Sequence, residues 1–404
     1  MSPIAENLRS YFGSHQEQPP RPILTSLNGD GSWLMSFPLP PAELRQENGV
    51  GRKRFYHVVV DPWLRGPATM VSPWLVFIER TEPAAVSDGA GVEAVVHEIE
   101  ELAAAARGEV FDADSDAQSQ PPLVDAIFIK LHLLDHLHQP TLETFDKRIP
   151  VFATAQAAPT IHGWGHFDTV VETLDYKRYN GDGNSDKSDS TAAGVPTADR
   201  GSHWKTFHPG KPLPEWLSVF RLASDWEVEL ATALVWSHES QLNRPESGTA
   251  GGSGRNEFII NTPHGVDVNT ESVEAFFDDN VGKNRNTAEG AGQPERADSM
   301  QCLAILAGFK DSYSFGMRQT VGVGRSLQLE RKAEPRYWVR SHDLPLRFGG
   351  AVMRIRMTKE VIRTLEYGLE EETKARLEEG QVVGLRKPNL IKVGNGKCCA
   401  ALTR

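Results

Sequence analysis

Residues 124–142, VDAIFIKLHLLDHLHQPTL, constrain this chain more than any other stretch. The apolar run 124–129 reads as a buried strand. Directly behind it come His132, Asp135, His136 and His138. A polar cluster at the end of a buried strand needs a compensating interaction, because unpaired polar groups there are costly. Metal ligation supplies one, since imidazole and carboxylate are common ligands of zinc and other transition metals. A helix start at Pro140-Thr141, with the histidines on its face, is the other reading of the same residues.

The rest of the chain repeats the pattern. Residues 23–27 read as a short strand, Asn28-Gly29-Asp30-Gly31 as a tight hairpin turn and 32–37 as the return strand. Strand patterns follow at 55–60 and 71–78. Ser87-Asp88 then caps a helix whose Val92, Val95, Val96, Ile99 and Leu102 share one face. Beyond residue 124 strands and helices alternate. A weak helix pattern covers 321–331, and a final helix is expected from 358 toward 379. Three later strands each end in histidine: Trp236 precedes His238, Asn261 precedes His264 and Arg340 precedes His342. Residues at the ends of neighbouring strands converge along one sheet edge, where α/β folds commonly build sites. A single strand-end histidine is an ordinary capping or surface residue; the repetition points to a shared centre.

Residues 21–379 are expected to form a single domain, with a loose N-terminal arm at 1–20 and a C-terminal tail at 380–404. The segment 179–214, rich in Gly, Ser, Asp, Lys and Thr, reads as a polar surface insertion. It contains a near-miss to a phosphate loop, with Asp186 where glycine is needed. No GxSxG, HExxH or GxGxxG is present. A net charge of −11 argues against an extended nucleic-acid surface. Three cysteines (Cys302, Cys398 and Cys399) make no disulfide framework or CxxC pair. The N-terminus lacks a secretory signal and no apolar run is long enough to span a bilayer, so a cytoplasmic setting without a membrane partner is expected.

In this setting the order of motifs resembles the metallo-β-lactamase fold, in its lactonase-like and fungal hydrolase-like branch. The residues that carry the resemblance are LNGDGSWL at 27–34, DPWL at 61–64, DHLHQPTL at 135–142, VFAT at 151–154, HFDTV at 166–170, SHES at 237–240, TPHG at 262–265 and YWVRSHD at 337–343. The resemblance implies an α+β, four-layer αββα sandwich with a metal site between the sheets. The family's HxHxDH turn would end on Asp135 and His136. Leu131 and Leu133 then stand where two ligands would be, so the motif is degenerate.

The resemblance also assigns roles. His238 would be the remnant of the first metal site, and Asp135, His136 and His342 would hold the second, with His264 at the bridging position. One divalent metal is expected on Asp135, His136, His264 and His342; zinc is the default, and iron or manganese also fits the donors. Asp135 and His264 carry the catalytic expectation. Asp343, adjoining His342, is a candidate to orient a ligand imidazole; an exposed loop carboxylate is the alternative. His132 and His138 are expected near the turn without binding metal, and His162 and His166 to line a pocket or sit in an ordinary loop. The function implied is hydrolysis of an ester, lactone or thioester of a small metabolite. Metal-assisted cyclisation or isomerisation, a non-catalytic binding descendant, and a scaffold using 179–214 are the alternatives.

Overall fold

A computed structural model describes residues 3–14, 21–46, 53–111, 121–178, 200–226, 228–237, 256–281, 300–380 and 385–399. Two large sheets dominate it. In spatial order the seven strands of the first are Cys398–Cys399, Ile23–Ser26, Trp33–Pro38, Phe55–Val60, Ala126–Ile129, Val151–Thr154 and Val170–Thr173. The six of the second are Leu390–Lys392, Tyr337–Arg340, Gln301–Ala307, Asn256–Thr262, Ala231–Ser237 and Leu217–Leu222. Each sheet changes from antiparallel to parallel pairing partway across. In the first, Trp33–Pro38 runs antiparallel to Phe55–Val60, which runs parallel to Ala126–Ile129.

The period of two in the strands sorts side chains into layers. From FYHVVV at 55–60, Val58 and Val60 enter the core between the sheets, while Phe55 and Val59 face the outer layer. On the next strand Ala126 and Phe128 point inward, Ile127 and Ile129 outward. The second sheet does the same: Leu234 and Trp236 inward, Ala233 and Val235 outward. A sheet buried on both faces needs helices outside it. The helix Gly89–Ala105 lays Val92, Val96 and Ile99 on the first sheet, its N-terminus capped by Asp88, which accepts from Gly91 N at 2.9 Å. Val273 and Phe276 of helix Glu271–Asn280, with Val323 and Leu327 of helix Gly322–Ala333, cover the second. The result is helices, sheet, sheet, helices: the expected α+β four-layer sandwich. Burying each Val, Leu, Ile or Phe contributes about 1.5–3 kcal/mol, so these three apolar layers hold the fold.

Several sequence expectations are corrected. The arm is not loose: Pro3–Ser14 is a helix whose Leu8 and Tyr11 are buried against the first sheet's outer layer. The tail supplies an edge strand to each sheet, Leu390–Lys392 beside Tyr337–Arg340 and Cys398–Cys399 beside Ile23–Ser26. Consecutive strand residues face opposite ways, so Cys398 joins the outer core and Cys399 the inter-sheet core. Of the insertion, residues 179–199 lie outside the described residues. From residue 200 it is ordered, with a 3₁₀ helix Arg200–Phe207 that buries Trp204 and Phe207 under the second sheet. The final helix begins later than expected, at Leu365, because Lys359–Ile362 is a strand of a small three-stranded sheet with Lys310–Ser314 and Met317–Thr320. A second small sheet joins Ala68–Met70, Val76–Arg80 and Leu346–Gly349.

Candidate metal centre

The tight turn expected at 28–31 is a six-residue connection between strands ending at Ser26 and starting at Trp33. Its polar side chains are turned inward. Asn28 Nδ2 donates to Ser32 Oγ at 2.8 Å and to the Trp63 carbonyl at 3.2 Å. Ser32 Oγ donates to the Asp61 carbonyl at 2.7 Å and accepts from Trp63 N at 2.9 Å. The loop is thereby tied to the segment that follows Phe55–Val60, at the carboxyl end of that strand. It is tied equally to the second sheet: His342 N donates to the Asp30 carbonyl at 3.1 Å, Leu344 N to Asp30 Oδ1 at 2.9 Å, and Trp33 Nε1 to Ser341 Oγ at 2.9 Å.

Three strand ends deliver imidazoles to this junction. His136 comes from the turn after Ala126–Ile129, where His136 N and Leu137 N both return to the Leu133 carbonyl. His264 follows Asn256–Thr262, and His342 follows Tyr337–Arg340. Ring centroids are 5.6 Å apart for His136 and His264, 5.1 Å for His136 and His342, and 4.8 Å for His264 and His342. Each ring offers a nitrogen within 4.8 Å of the others', the one such group of His, Cys, Asp or Glu among the described residues. The Nε2 atoms of all three are buried and have no hydrogen-bond partner. An unpaired buried polar atom is costly; three in one cluster form a ligand set that a metal ion would satisfy.

The opposite edges of two rings are held by carboxylates. Asp61 Oδ2 lies 2.7 Å from His136 Nδ1 and Asp30 Oδ2 lies 2.9 Å from His342 Nδ1, the latter off the N–H axis. A carboxylate behind the ring places the proton on Nδ1 and leaves Nε2 as the free lone pair, the arrangement that metal-binding imidazoles use. Both carboxyls are buried yet ionised. Burial pushes the Asp61 pKa up, but Lys130 and His136 outweigh it and the net shift is downward. At Asp30 burial is likewise outweighed, by His342 and Lys310, which hold the carboxyl well below the usual range. Burial drives the His264 pKa well down, reinforced by the neighbouring rings, so the imidazole stays neutral and its lone pair available. The backbone is strained in the same place: Asp61 and His342 have φ of 44° and 60°, the left-handed region that non-glycine residues seldom adopt. Gly31 leaves room beside the same ring. A Cβ there would stand 3.2 Å from His342 Nδ1.

The expected site residues divide as follows. His136, His264 and His342 are brought together. Asp135 stands at their edge, its Oδ2 3.8 Å from His136 Nε2 and 3.8 Å from His342 Nε2, and it is more exposed than either of those two rings. Leu131 is buried and Leu133 half-buried. His238 lies outside the described residues. His138 is buried and neutral, its pKa pushed down to about 4 by burial. Its Nδ1 bonds Thr141 Oγ1 at 2.8 Å and its Nε2 the Pro67 carbonyl at 3.3 Å, so it braces the loop after Asp61. His132 is half-buried and outside the group. His162 is exposed and His166 bonds the Phe145 carbonyl at 2.9 Å; neither enters the group. Asp343 is neither of the two things expected of it. It is mostly buried, accepts from Phe309 N at 2.6 Å and pairs with Arg340 at 2.8 Å, so its two oxygens are engaged by these groups. That orienting role falls to Asp30 and Asp61. Asp61 could have been found as the acidic residue that ends the apolar strand VVV at 58–60; Asp30 had the signature of an ordinary turn.

No family model matches the chain, and no curated protein does. Among solved structures it is similar to a possible metal-dependent hydrolase from Veillonella parvula, with 9% identity and a TM-score of 0.42 over 94% of this chain and 99% of that one. It is also similar to an isothiocyanate hydrolase from Delia radicum gut bacteria, with 10% identity and a TM-score of 0.43 over 93% and 98%. A third is the metallo-β-lactamase fold protein YhfI from Bacillus subtilis, with 8% identity and a TM-score of 0.39 over 94% and 99%. At these values the likeness is to the coarse course of the chain, and the character of the centre stands on its own residues.

Proposed function

We propose that this chain is a metal-dependent hydrolase with a single metal ion held by His136, His264 and His342, acting on an ester, lactone or thioester of a small metabolite. The observation that carries the reading is the set of three buried, partnerless Nε2 atoms, two of them on rings braced from behind by Asp61 and Asp30. Three imidazoles with a fourth position left for substrate or water is the donor set of a catalytic zinc site, and zinc is the expected ion. When bound, a divalent ion supplies Lewis acidity, polarising a carbonyl and making its water more acidic.

The remaining work is assigned to the chain. Asp135 Oδ2, 3.8 Å from two of the ring nitrogens and on the open side, takes the proton of the attacking water and returns it to the leaving oxygen or sulfur. His264 remains neutral and binds without exchanging protons. The Asp30 and Asp61 carboxylates hold two rings in register, so no reorganisation is needed when substrate arrives.

Metal analysis of the purified protein, paired with turnover on an ester and thioester panel, tests this. Asp135→Asn is expected to keep its metal and lose turnover by about 10²–10⁴-fold, the contribution of a positioned base. Absence of metal after reconstitution with zinc, iron and manganese would sink the reading. Loss of metal from Asp135→Asn would make that carboxylate a ligand instead.

A further inference from the structure

We infer that the two small sheets carry a membrane-docking face that seats this protein on an anionic lipid surface. The face is built from three turns that hydrogen bonds hold together. Ala351 N donates to the Trp74 carbonyl at 2.9 Å and Val352 N to the Leu75 carbonyl at 3.1 Å, which fixes the short helix Ala351–Ile355 against the 71–75 turn. Phe315 N donates to the Arg356 carbonyl at 2.6 Å, which fixes the 315–316 hairpin turn against the end of the same helix. Gly350, at φ 88°, permits the first junction, since a Cβ there would meet the Leu75 carbonyl at 2.5 Å.

This ridge presents apolar tips to solvent. Val71 is 93% exposed, Trp74 77%, Ile355 70% and Met357 60%, with Met317 and Phe315 beside them. Among the described residues, six of the nine large apolar side chains more than half exposed lie on this ridge; Val110, Trp226 and Leu377 lie elsewhere in the chain. Scattered apolar residues need no explanation, but a contiguous set does. Val71 adds to the case. It is β-branched and sits at φ 65° with its side chain almost wholly in water. Strain at such a position persists only where the surroundings enforce it.

Charge selects the occupant. The chain carries −11 overall, yet residues 68–80, 312–320 and 345–363 hold seven Lys or Arg against two Glu. Both glutamates are engaged, Glu79 with Arg347 and Glu360 with the buried Lys310. Arg318 and Arg363 reach Asp311, but among the described residues Arg354, Arg356 and Lys359 make no ion pair and are exposed. They flank the apolar tips. Apolar tips ringed by cations, with a Trp at the level of the ring, match the acyl boundary and anionic headgroups of a lipid surface. A second copy is disfavoured, because a self-facing contact would bring Arg354, Arg356 and Lys359 against their own counterparts.

The absence of an apolar run long enough to cross a bilayer led to an expectation of no membrane partner. Surface docking needs no such run, and no helix among the described residues is long and apolar enough to cross a membrane. The docking face stands independently of the hydrolase reading. It nevertheless abuts the histidine centre: Leu134, next to Asp135, packs in one apolar cluster with Leu346, Phe348 and Val352.

Co-sedimentation of the full chain with phosphatidylcholine vesicles, with and without phosphatidylserine, decides the matter. Binding is expected only to the phosphatidylserine vesicles and should weaken as salt is raised. The Trp74→Ser/Ile355→Ser and Arg354→Glu/Arg356→Glu double variants, checked for an unchanged melting temperature, are each expected to lower it by roughly tenfold or more. No binding by the natural chain, or equal binding by both variants, overturns the inference. So does a natural chain that sediments as a dimer and becomes monomeric in Trp74→Ser/Ile355→Ser, because the face would then join two copies.

Discussion

Among the described residues, two groupings of histidine and acidic side chains invite comparison, and of the pair one has its ring nitrogens occupied and the other leaves them open. In the outer layer of the first sheet, His57 sits between Ser36 and Glu100, with Ser36 Oγ 2.9 Å from Nδ1 and Glu100 Oε1 2.8 Å from Nε2. Glu100 also accepts from Arg54 N at 2.7 Å and Phe55 N at 3.0 Å. The residue types are those of a nucleophilic triad, but all three are buried and both ring nitrogens are occupied. A substrate has no route to them. At the strand ends between the sheets, His136 and His342 are buried and His264 is half-buried, yet each has a buried Nε2 without a hydrogen-bond partner. The difference teaches that burial and residue type do not mark a site. Single unmet atoms, such as Trp204 Nε1 and Ser218 Oγ, occur elsewhere too; what marks the centre is that three unmet imidazole nitrogens belong to one cluster.

That contrast can be broken by substitution. The largest effect is expected at the open cluster: His264→Ala or His342→Ala should weaken metal binding by roughly a thousandfold and abolish turnover, with the fold retained, since structural-type ligation energies divide to several kcal/mol per ligand. Next is His57→Ala. It leaves Glu100 without one of its partners in an apolar layer and is expected to cost about 3 kcal/mol of unfolding free energy in denaturant titration, with metal content per folded chain unchanged. Intermediate effects belong to the braces. Asp30→Asn and Asp61→Asn should each lower metal affinity by about 10–100-fold in competition with a chelating dye, because they release the ring without removing a ligand. The smallest is Ser36→Ala, about 1 kcal/mol in the same titration and no change in metal affinity. Should His57→Ala strip the metal, or Asp61→Asn leave affinity untouched, the distinction between a saturated and an open cluster would fail.

The layered architecture was legible because it is written in strong periodicities. VVV at 58–60, IFI at 127–129 and the apolar face of Val92, Val96 and Ile99 each exceed what a loop would carry. The three histidines were legible through a shared position, the end of a strand. What escaped was short or hidden in turn chemistry. Strands of two or three residues such as Cys398–Cys399 and Leu390–Lys392 are too brief to show alternation, and their identity comes from the edges they pair with. Leu8 and Tyr11 lie in a polar helix that would be marginal alone and is stabilised by the surface it covers. Trp204 sits in a polar segment that gives no periodic signal at all. Asp30 was concealed most thoroughly, because Asn-Gly-Asp-Gly satisfies every local rule for a turn while its side chain braces a ring 312 residues further along.

If three imidazole nitrogens without hydrogen-bond partners hold one metal ion, the ion is lost when the rings are removed, and a direct measurement shows it. Elemental analysis of the natural chain, of a His136→Ala/His264→Ala/His342→Ala variant and of His57→Ala, each reconstituted with zinc and dialysed, tests it most directly. One zinc per chain is expected for the natural protein and for His57→Ala, and background in the triple variant. Zinc retained by the triple variant, or none bound by the natural chain, would contradict it.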